Sequence, residues 1–358
     1  MTITRADIEA AHARIAPHIR RTPVLNLGHA FGHDGPVSLK LEFLQHAGSF
    51  KTRGAFNTLL SMEVPAAGVA AASGGNHGAA VAYAAKQLGV RARIFVPDIS
   101  SPAKIAVIRS HGAEVVIGGA RYADAQAACD LYVEESGALR VHPFGAESTV
   151  TGQGTAALEW EQDALAHRAD PEGRVSEKWA RFSASNDALG KKGSIGSIPK
   201  VDSTFGSDAV ALDTVLVAVG GGGLISGVAS WWAGRVKVVG VEPEGSRALH
   251  AALEAGRPVD VDVDSVAADS LGAKNTGDLV YSICRDTVDH VALVSDPAIR
   301  DAQRLLWRDF RIASEPGGAA ALAALASGTY KPRSGERIGV LLCGANVELA
   351  KLAEVTHP

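Results

Sequence analysis

Residues 214–242 read TVLVAVGGGGLISGVASWWAGRVKVVGVE, and this stretch decides the fold. Thr214 to Val219 is an apolar, largely β-branched run that ends in four consecutive glycines, Gly220 to Gly223. A helical pattern then runs through Trp232, and Lys237 to Val241 is β-branched again. Strand, tight turn, helix and strand make a βαβ unit, which sets two parallel strands side by side. Glycines at such a turn leave the N–H groups of the helix start uncovered, the geometry that holds a phosphate.

The same alternation extends upstream. Strands are expected over Ser38–Glu42, Gly68–Ala72, Arg93–Val96 and Glu114–Ile117. Helices are expected over Thr52–Met62, Asn76–Leu88 and Tyr122 to about Glu135, with one capped by Ser101-Pro102 and ending near His111. A capping box of Thr4 and Asp7 opens a first helix toward Ile19, and Arg21-Thr22-Pro23 ends it. The fold class is therefore α/β, with parallel sheets flanked by helices. Residues from about 163 to 212 break the pattern with a tract rich in Ser, Gly, Lys and Asp. A loop that long is either a tolerated surface insertion or functional, and the insertion is the simpler reading.

The 358 residues suit two domains, and 46% hydrophobic with 21% charged residues excludes wholesale disorder. A net charge of −4 removes the electrostatic case for nucleic-acid binding. No basic cluster suits an anionic membrane, and no apolar run is long enough to span one. The three cysteines, Cys129, Cys284 and Cys343, form no paired or zinc-like spacing, and the N-terminus has no apolar leader. A soluble cytoplasmic protein is expected.

Four segments carry chemistry. The first is the glycine turn. It lacks the lysine of a Walker loop, but Gly221-x-Gly223-x-x-Ser226, with Glu242 at the end of the next strand, approaches a dinucleotide fingerprint and keeps a nicotinamide oxidoreductase open. The second is GSFKTRGA, 48–55, where Lys51 begins a helix among aromatic and small residues. The helix dipole and desolvation both lower an amine's pKa there and favour a nucleophile, although by itself this lysine also reads as a solvated first-turn residue. The third is SGGNHG, 73–78, a polar turn with backbone donors for a carboxylate. The fourth is CGAN, 343–346, closing the last apolar strand, where Cys343 alone reads as a small buried hydrophobe.

In this order, with SEPGGA at 314–319 between the last two, these motifs resemble the fold-type II pyridoxal-phosphate enzymes, specifically the serine/threonine dehydratase (threonine ammonia-lyase) family. The resemblance runs from about Arg21 to Asn346, excepting the insertion. It implies a two-domain enzyme binding pyridoxal 5′-phosphate, with a large domain of residues 1–47 and 144–358 and a small domain of residues 48–143. Lys51 would hold the cofactor and move the substrate α-proton, and Phe50 would pack on the pyridine ring. Asn76 would bond the ring's phenolic oxygen, and Gly220, Gly221, Gly222, Gly223 and Leu224 would cradle the phosphate. Cys343 would face the pyridine nitrogen, and Glu315 belongs to the cofactor site by its motif. Ser73, Gly74, Gly75, Asn76 and His77 would receive the substrate carboxylate. The implied reaction is α,β-elimination of L-threonine or L-serine to a 2-oxo acid and ammonia, in a homodimer.

Departures narrow the choice. Related serine racemases carry a second serine where Gly74 stands, so racemisation is demoted. Their metal site pairs a glutamate with an aspartate six residues on, but Glu242 is followed by Ala248, so no metal is expected. Phe50 and Thr52 point away from cysteine synthases, and Ala47 replaces a threonine common before Gly-Ser-Phe-Lys. The chain stops at Pro358, so feedback regulation through a domain like that of biosynthetic threonine dehydratases is not expected. Elimination from a larger substrate such as phenylserine or hydroxyaspartate stays open, as does a pyridoxal-phosphate protein without turnover. His29 and His33 read as solvated, and Trp231-Trp232 as core or interface.

Overall fold

A computed structural model describes residues 3–169 and 212–356. Of the anomalous tract, residues 163–169 continue a helix and residues 170–211 lie outside the described residues. Two sheets organise the chain. The larger has six strands in the order β1-β2-β10-β7-β8-β9. These are β1 (Val24–His29), β2 (Pro36–Leu41), β10 (Ile338–Leu342), β7 (Thr214–Ala218), β8 (Lys237–Pro243) and β9 (His290–Val294). The smaller has four parallel strands, β5 (Glu114–Ile117), β4 (Ala92–Val96), β3 (Val69–Ala72) and β6 (Leu139–Arg140), in that order.

Strands β7 and β10 are buried at every position, which is why they read as unbroken apolar runs rather than alternating ones. The sheets are parallel and flanked by helices as expected, with one antiparallel pair at the edge of the larger sheet. β1 pairs antiparallel with β2, because the link between them is too short for a helical crossover. Among the described residues, no helix is long and apolar enough to cross a membrane.

Four helices build the site, α2 (Lys51–Ser61), α3 (Asn76–Gln87), α7 (Gly223–Trp232) and α12 (Pro316–Ala326), of which α3 follows directly on β3 and α7 on β7. Helix α6 (Glu147–Ala169) meets α7 by close backbone approach, since a Cβ on Gly227 would lie 2.5 Å from the nitrogen of Gly154. Two smaller readings are corrected. Ser101 starts the helix at Pro102 without a side-chain cap, its hydroxyl donating instead to Glu348. His33 is not solvated, for its ring Nε2 lies 2.6 Å from the carbonyl of Glu336. Trp231 and Trp232 are core residues, with the Arg5 guanidinium 3.6 Å from the Trp231 ring centroid.

Beneath α2 lies a buried cluster of four charged side chains, Lys40, Glu42, Arg53 and Glu159. Arg53 donates Nε and Nη2 to the two oxygens of Glu42 at 2.7 Å each. On its other edge Nη1 and Nη2 reach the Glu159 carboxylate at 2.9 and 2.7 Å, and Nη1 also reaches Thr155 at 3.1 Å. Lys40 donates to the Thr22 carbonyl at 2.8 Å and lies 3.5 Å from Glu159. Two cations and two anions balance, so each charge is compensated without water.

Arg53→Met is therefore expected to cost about 3–5 kcal/mol, because it strands two buried carboxylates, and urea denaturation measures it. Burial alone would raise the Glu159 carboxyl, but Arg53 and Lys40 outweigh it and hold the group below its usual range. Its stabilisation is thus complete above the unfolded carboxyl pKa near 4.5 and is lost as pH falls through the lower folded value. Acid unfolding followed by circular dichroism should shift to higher pH in Glu159→Gln.

Candidate active site

Lys51 sits where β10 and α2 are stitched together. Ser49 bridges Gly344, and Phe50 N–H donates to the Cys343 carbonyl at 3.1 Å. Two residues on, Arg53 anchors the helix in the charge cluster. The Lys51 amine donates to the Pro143 carbonyl at 2.8 Å and stands 5.1 Å from the Phe50 ring centroid. Burial pushes this amine down to about 8, against the opposing pull of Cys343 and Glu315. The direction is the one expected for a nucleophilic lysine.

One cavity collects Phe50, Lys51, Asn76, Gly220 to Leu224, Glu315 and Cys343. Gly222 adopts φ 82° and is the residue before α7, so the turn needs a left-handed residue there. Side chains at the other positions are excluded by contact. A Cβ on Gly221 would strike the Phe144 ring, and one on Gly223 would sit 2.8 Å from the Phe144 backbone. Among the described residues, no side chain caps the start of α7, and the turn lines the cavity.

On the other side Asn76, the first residue of α3, donates Nδ2 to Glu315 Oε1 at 2.6 Å and accepts from Asn346 Nδ2 at 2.7 Å. Glu315 is 3% exposed, and its Oε2 has no partner. Burial raises its carboxyl despite the nearby Lys104 and Asn76. Burial likewise pushes the Cys343 thiol up, so it is a neutral group, 3.5 Å from the Gly317 carbonyl.

The remaining expected residues do not line this cavity. Ser73 Oγ accepts from Gly75 N–H at 3.2 Å within the turn, and a Cβ on Gly74 would run into Ser100. His77 points the other way, with Nε2 2.8 Å from the Val141 carbonyl, and burial lowers its ring to about 3. Glu242 cannot serve a ribose. Both its oxygens accept amides at 2.9 Å, from Leu249 and His250 at the start of α8 (Ala248–Ala255), and it is fully buried. Ser226, also buried, lies 3.4 Å from the Cys284 sulfur. Sequence reasoning missed Ala218, Ser270 and Leu271, which also line the cavity. No motif marks the last two, which sit at the end of the four-residue helix α9 (Ala268–Leu271).

A half-buried lysine with a lowered pKa, a tetraglycine helix start without a side-chain cap and an orphaned buried carboxylate oxygen share one cavity, which fits an aldehyde cofactor carrying a phosphate. The chain belongs to the family of pyridoxal-phosphate dependent enzymes, which matches it over residues 15–172 and 188–344. It is 36% identical to a phenylserine dehydratase from Ralstonia pickettii, over 98% of this chain and 97% of that one. It is 33% identical to the L-threonine ammonia-lyase of Geobacter sulfurreducens, covering 98% of this chain and 77% of the relative. Among solved structures, maize serine racemase matches with a TM-score of 0.79 and 30% identity, covering 99% and 97% of the two chains. The serine racemase of Dictyostelium discoideum matches at 0.78 and 28%, covering 97% and 100%. The protein is a fold-type II pyridoxal-phosphate enzyme, similar to dehydratases, ammonia-lyases and serine racemases.

Only the neutral amine attacks an aldehyde. Uptake of pyridoxal phosphate by the cofactor-free protein should accelerate about tenfold per pH unit below pH 8 and level off above it. Stopped-flow absorbance measures this, and a rate independent of pH between 6 and 8 would contradict a Lys51 amine titrating near 8.

Proposed function

We propose that the protein eliminates water from a β-hydroxy amino acid, with L-threonine and L-serine as the first substrates to consider, and releases a 2-oxo acid and ammonia. The observation that carries this reading is Lys51, its pKa lowered, in one cavity with the neutral thiol of Cys343 and the Gly220–Gly223 turn. Bound pyridoxal phosphate supplies the electron sink that makes an amino acid's α-proton removable. Gly220 to Leu224 would hold its phosphate, Phe50 and Asn76 its ring, and Cys343, with no charge to offer, its pyridine nitrogen. Lys51 Nζ takes the proton from the substrate α-carbon. The β-hydroxyl leaves with a proton as water, which balances the proton taken by Lys51, and the released enamine hydrolyses to the 2-oxo acid and ammonia. Of the Ser73–His77 turn expected to receive the substrate carboxylate, Asn76 is the residue that lines the cavity beside Lys51.

Elimination is favoured over racemisation at Gly74. It offers no hydroxyl for a second proton transfer, and a side chain there would collide with Ser100. Phenylserine is a second substrate reading, supported by the 36% identity to a phenylserine dehydratase across nearly all of both chains. We further propose a small domain of residues 48–143 set against the rest of the chain, in a cytoplasmic homodimer. Three buried free cysteines, Cys129, Cys284 and Cys343, are in keeping with a reducing compartment.

Lys51→Ala is expected to lower turnover by about 10²–10⁴-fold or more while leaving the circular dichroism spectrum unchanged. The reaction is tested by incubating the purified enzyme with L-threonine, L-serine, phenylserine and hydroxyaspartate and assaying 2-oxo acid and D-serine. A 2-oxo acid from one or more substrates supports the proposal, and its ranking assigns the side chain. D-serine as the main product would overturn it.

A further inference from the structure

The turn that leads into Lys51 is held in an unusual backbone state. Ala47 lies at φ 57° and ψ 18°, and Gly48 follows at φ 72°. Glycine adopts this region freely, whereas an alanine needs its surroundings to hold it there. One side chain bonds the turn at Ala47 itself. Asn346 donates Nδ2 to the Ala47 carbonyl at 2.8 Å, and its amide packs so closely on Gly48 that a Cβ there would strike its Oδ1. Gly48 N–H donates to Gln45 O at 3.0 Å, and Ala345 N–H donates to Gly48 O at 3.0 Å, which completes the turn.

The same nitrogen of Asn346 faces Asn76, 2.7 Å away. A backbone carbonyl can only accept, so Ala47 O dictates that Asn346 presents its NH₂ on this side. The Asn76 atom opposite must then be its carbonyl oxygen, and its NH₂ must turn to Glu315, where the contact is 2.6 Å. One acceptor on the Lys51 turn thus sets the direction of a hydrogen-bond chain that ends at the cavity.

We propose that Asn346 is a positioning residue, whose side-chain amide fixes both the left-handed turn before Lys51 and the direction in which Asn76 presents its NH₂. It acts on cofactor binding through the Lys51 turn and Asn76 and is not itself among the residues lining the cavity. The inference deepens the cofactor reading of the site and rests on it.

Asn346→Asp, nearly isosteric, replaces the donor with an acceptor that faces two other acceptors. The cofactor-free full chain is titrated with pyridoxal 5′-phosphate, and the dissociation constant and the absorption maximum of the lysine-bound cofactor are read beside the melting temperature. The expected result is about tenfold weaker binding and a displaced absorption maximum in a folded protein. Adding Ala47→Gly should recover part of the affinity, because glycine holds the turn unaided. If Asn346→Asp does not fold, Asn346→Ser is read by the same titration. A folded variant with affinity within about twofold of the unaltered chain and the same absorption maximum overturns the proposal, even if it melts earlier. Failure of the unaltered chain to take up pyridoxal phosphate would overturn the reading of the site itself, and this inference with it.

Discussion

Arg53 is fully buried and makes two-pronged contacts with Glu42 on one edge and Glu159 on the other. Such a geometry tolerates little displacement, because every bond lost would leave a charge without water or partner. It ties α2 to the residues after β2 through Glu42, and to α6 through Glu159. Lys51 lies two residues away on α2. The nucleophile's position is therefore inherited from a charge cluster that takes no part in the chemistry. A hydrophobic contact of similar area would hold the helix as firmly but would fix its rotation less sharply, since dispersion is not directional.

The site combines that rigidity with incomplete satisfaction. Most buried polar groups around it are paired, as physical chemistry demands. Glu315 Oε2 is an exception, and it belongs to a residue that lines the cavity beside Lys51 and Cys343. Lys51 itself is half-buried with its pKa lowered by desolvation, a state that destabilises the charged amine and makes a partner welcome. Cys343 contributes through its neutrality. A thiol with a raised pKa presents no charge to a ring nitrogen, unlike a carboxylate.

Glu242 shows how the same residue type can be read two ways. At the end of β8, after a glycine-rich turn, it sits where a ribose-binding acid would stand. Its two oxygens instead accept the amides of Leu249 and His250, so it serves the start of a helix. His77 is a similar case. It belongs to a polar glycine-rich motif, yet the helical rotation from Asn76 sends its ring to the Val141 carbonyl rather than to the cavity.

The sequence by itself determined the βα alternation, the tetraglycine turn and the lysine that begins α2. Each of these is a local matter: apolar period, the absence of Cβ atoms, and position at a helix start decide them within a few residues. Tertiary structure alone decided which motif residues share a cavity. Ser270 and Leu271 join it from a helix with no motif, and Ser73 to Gly75 stay outside it. It also decided the antiparallel edge of β1, the collision that closes the Gly74 position, and the partnership of Asn346 with Ala47 and Asn76. These contacts join residues far apart in the chain, and pairing at that distance depends on packed geometry that no local pattern encodes.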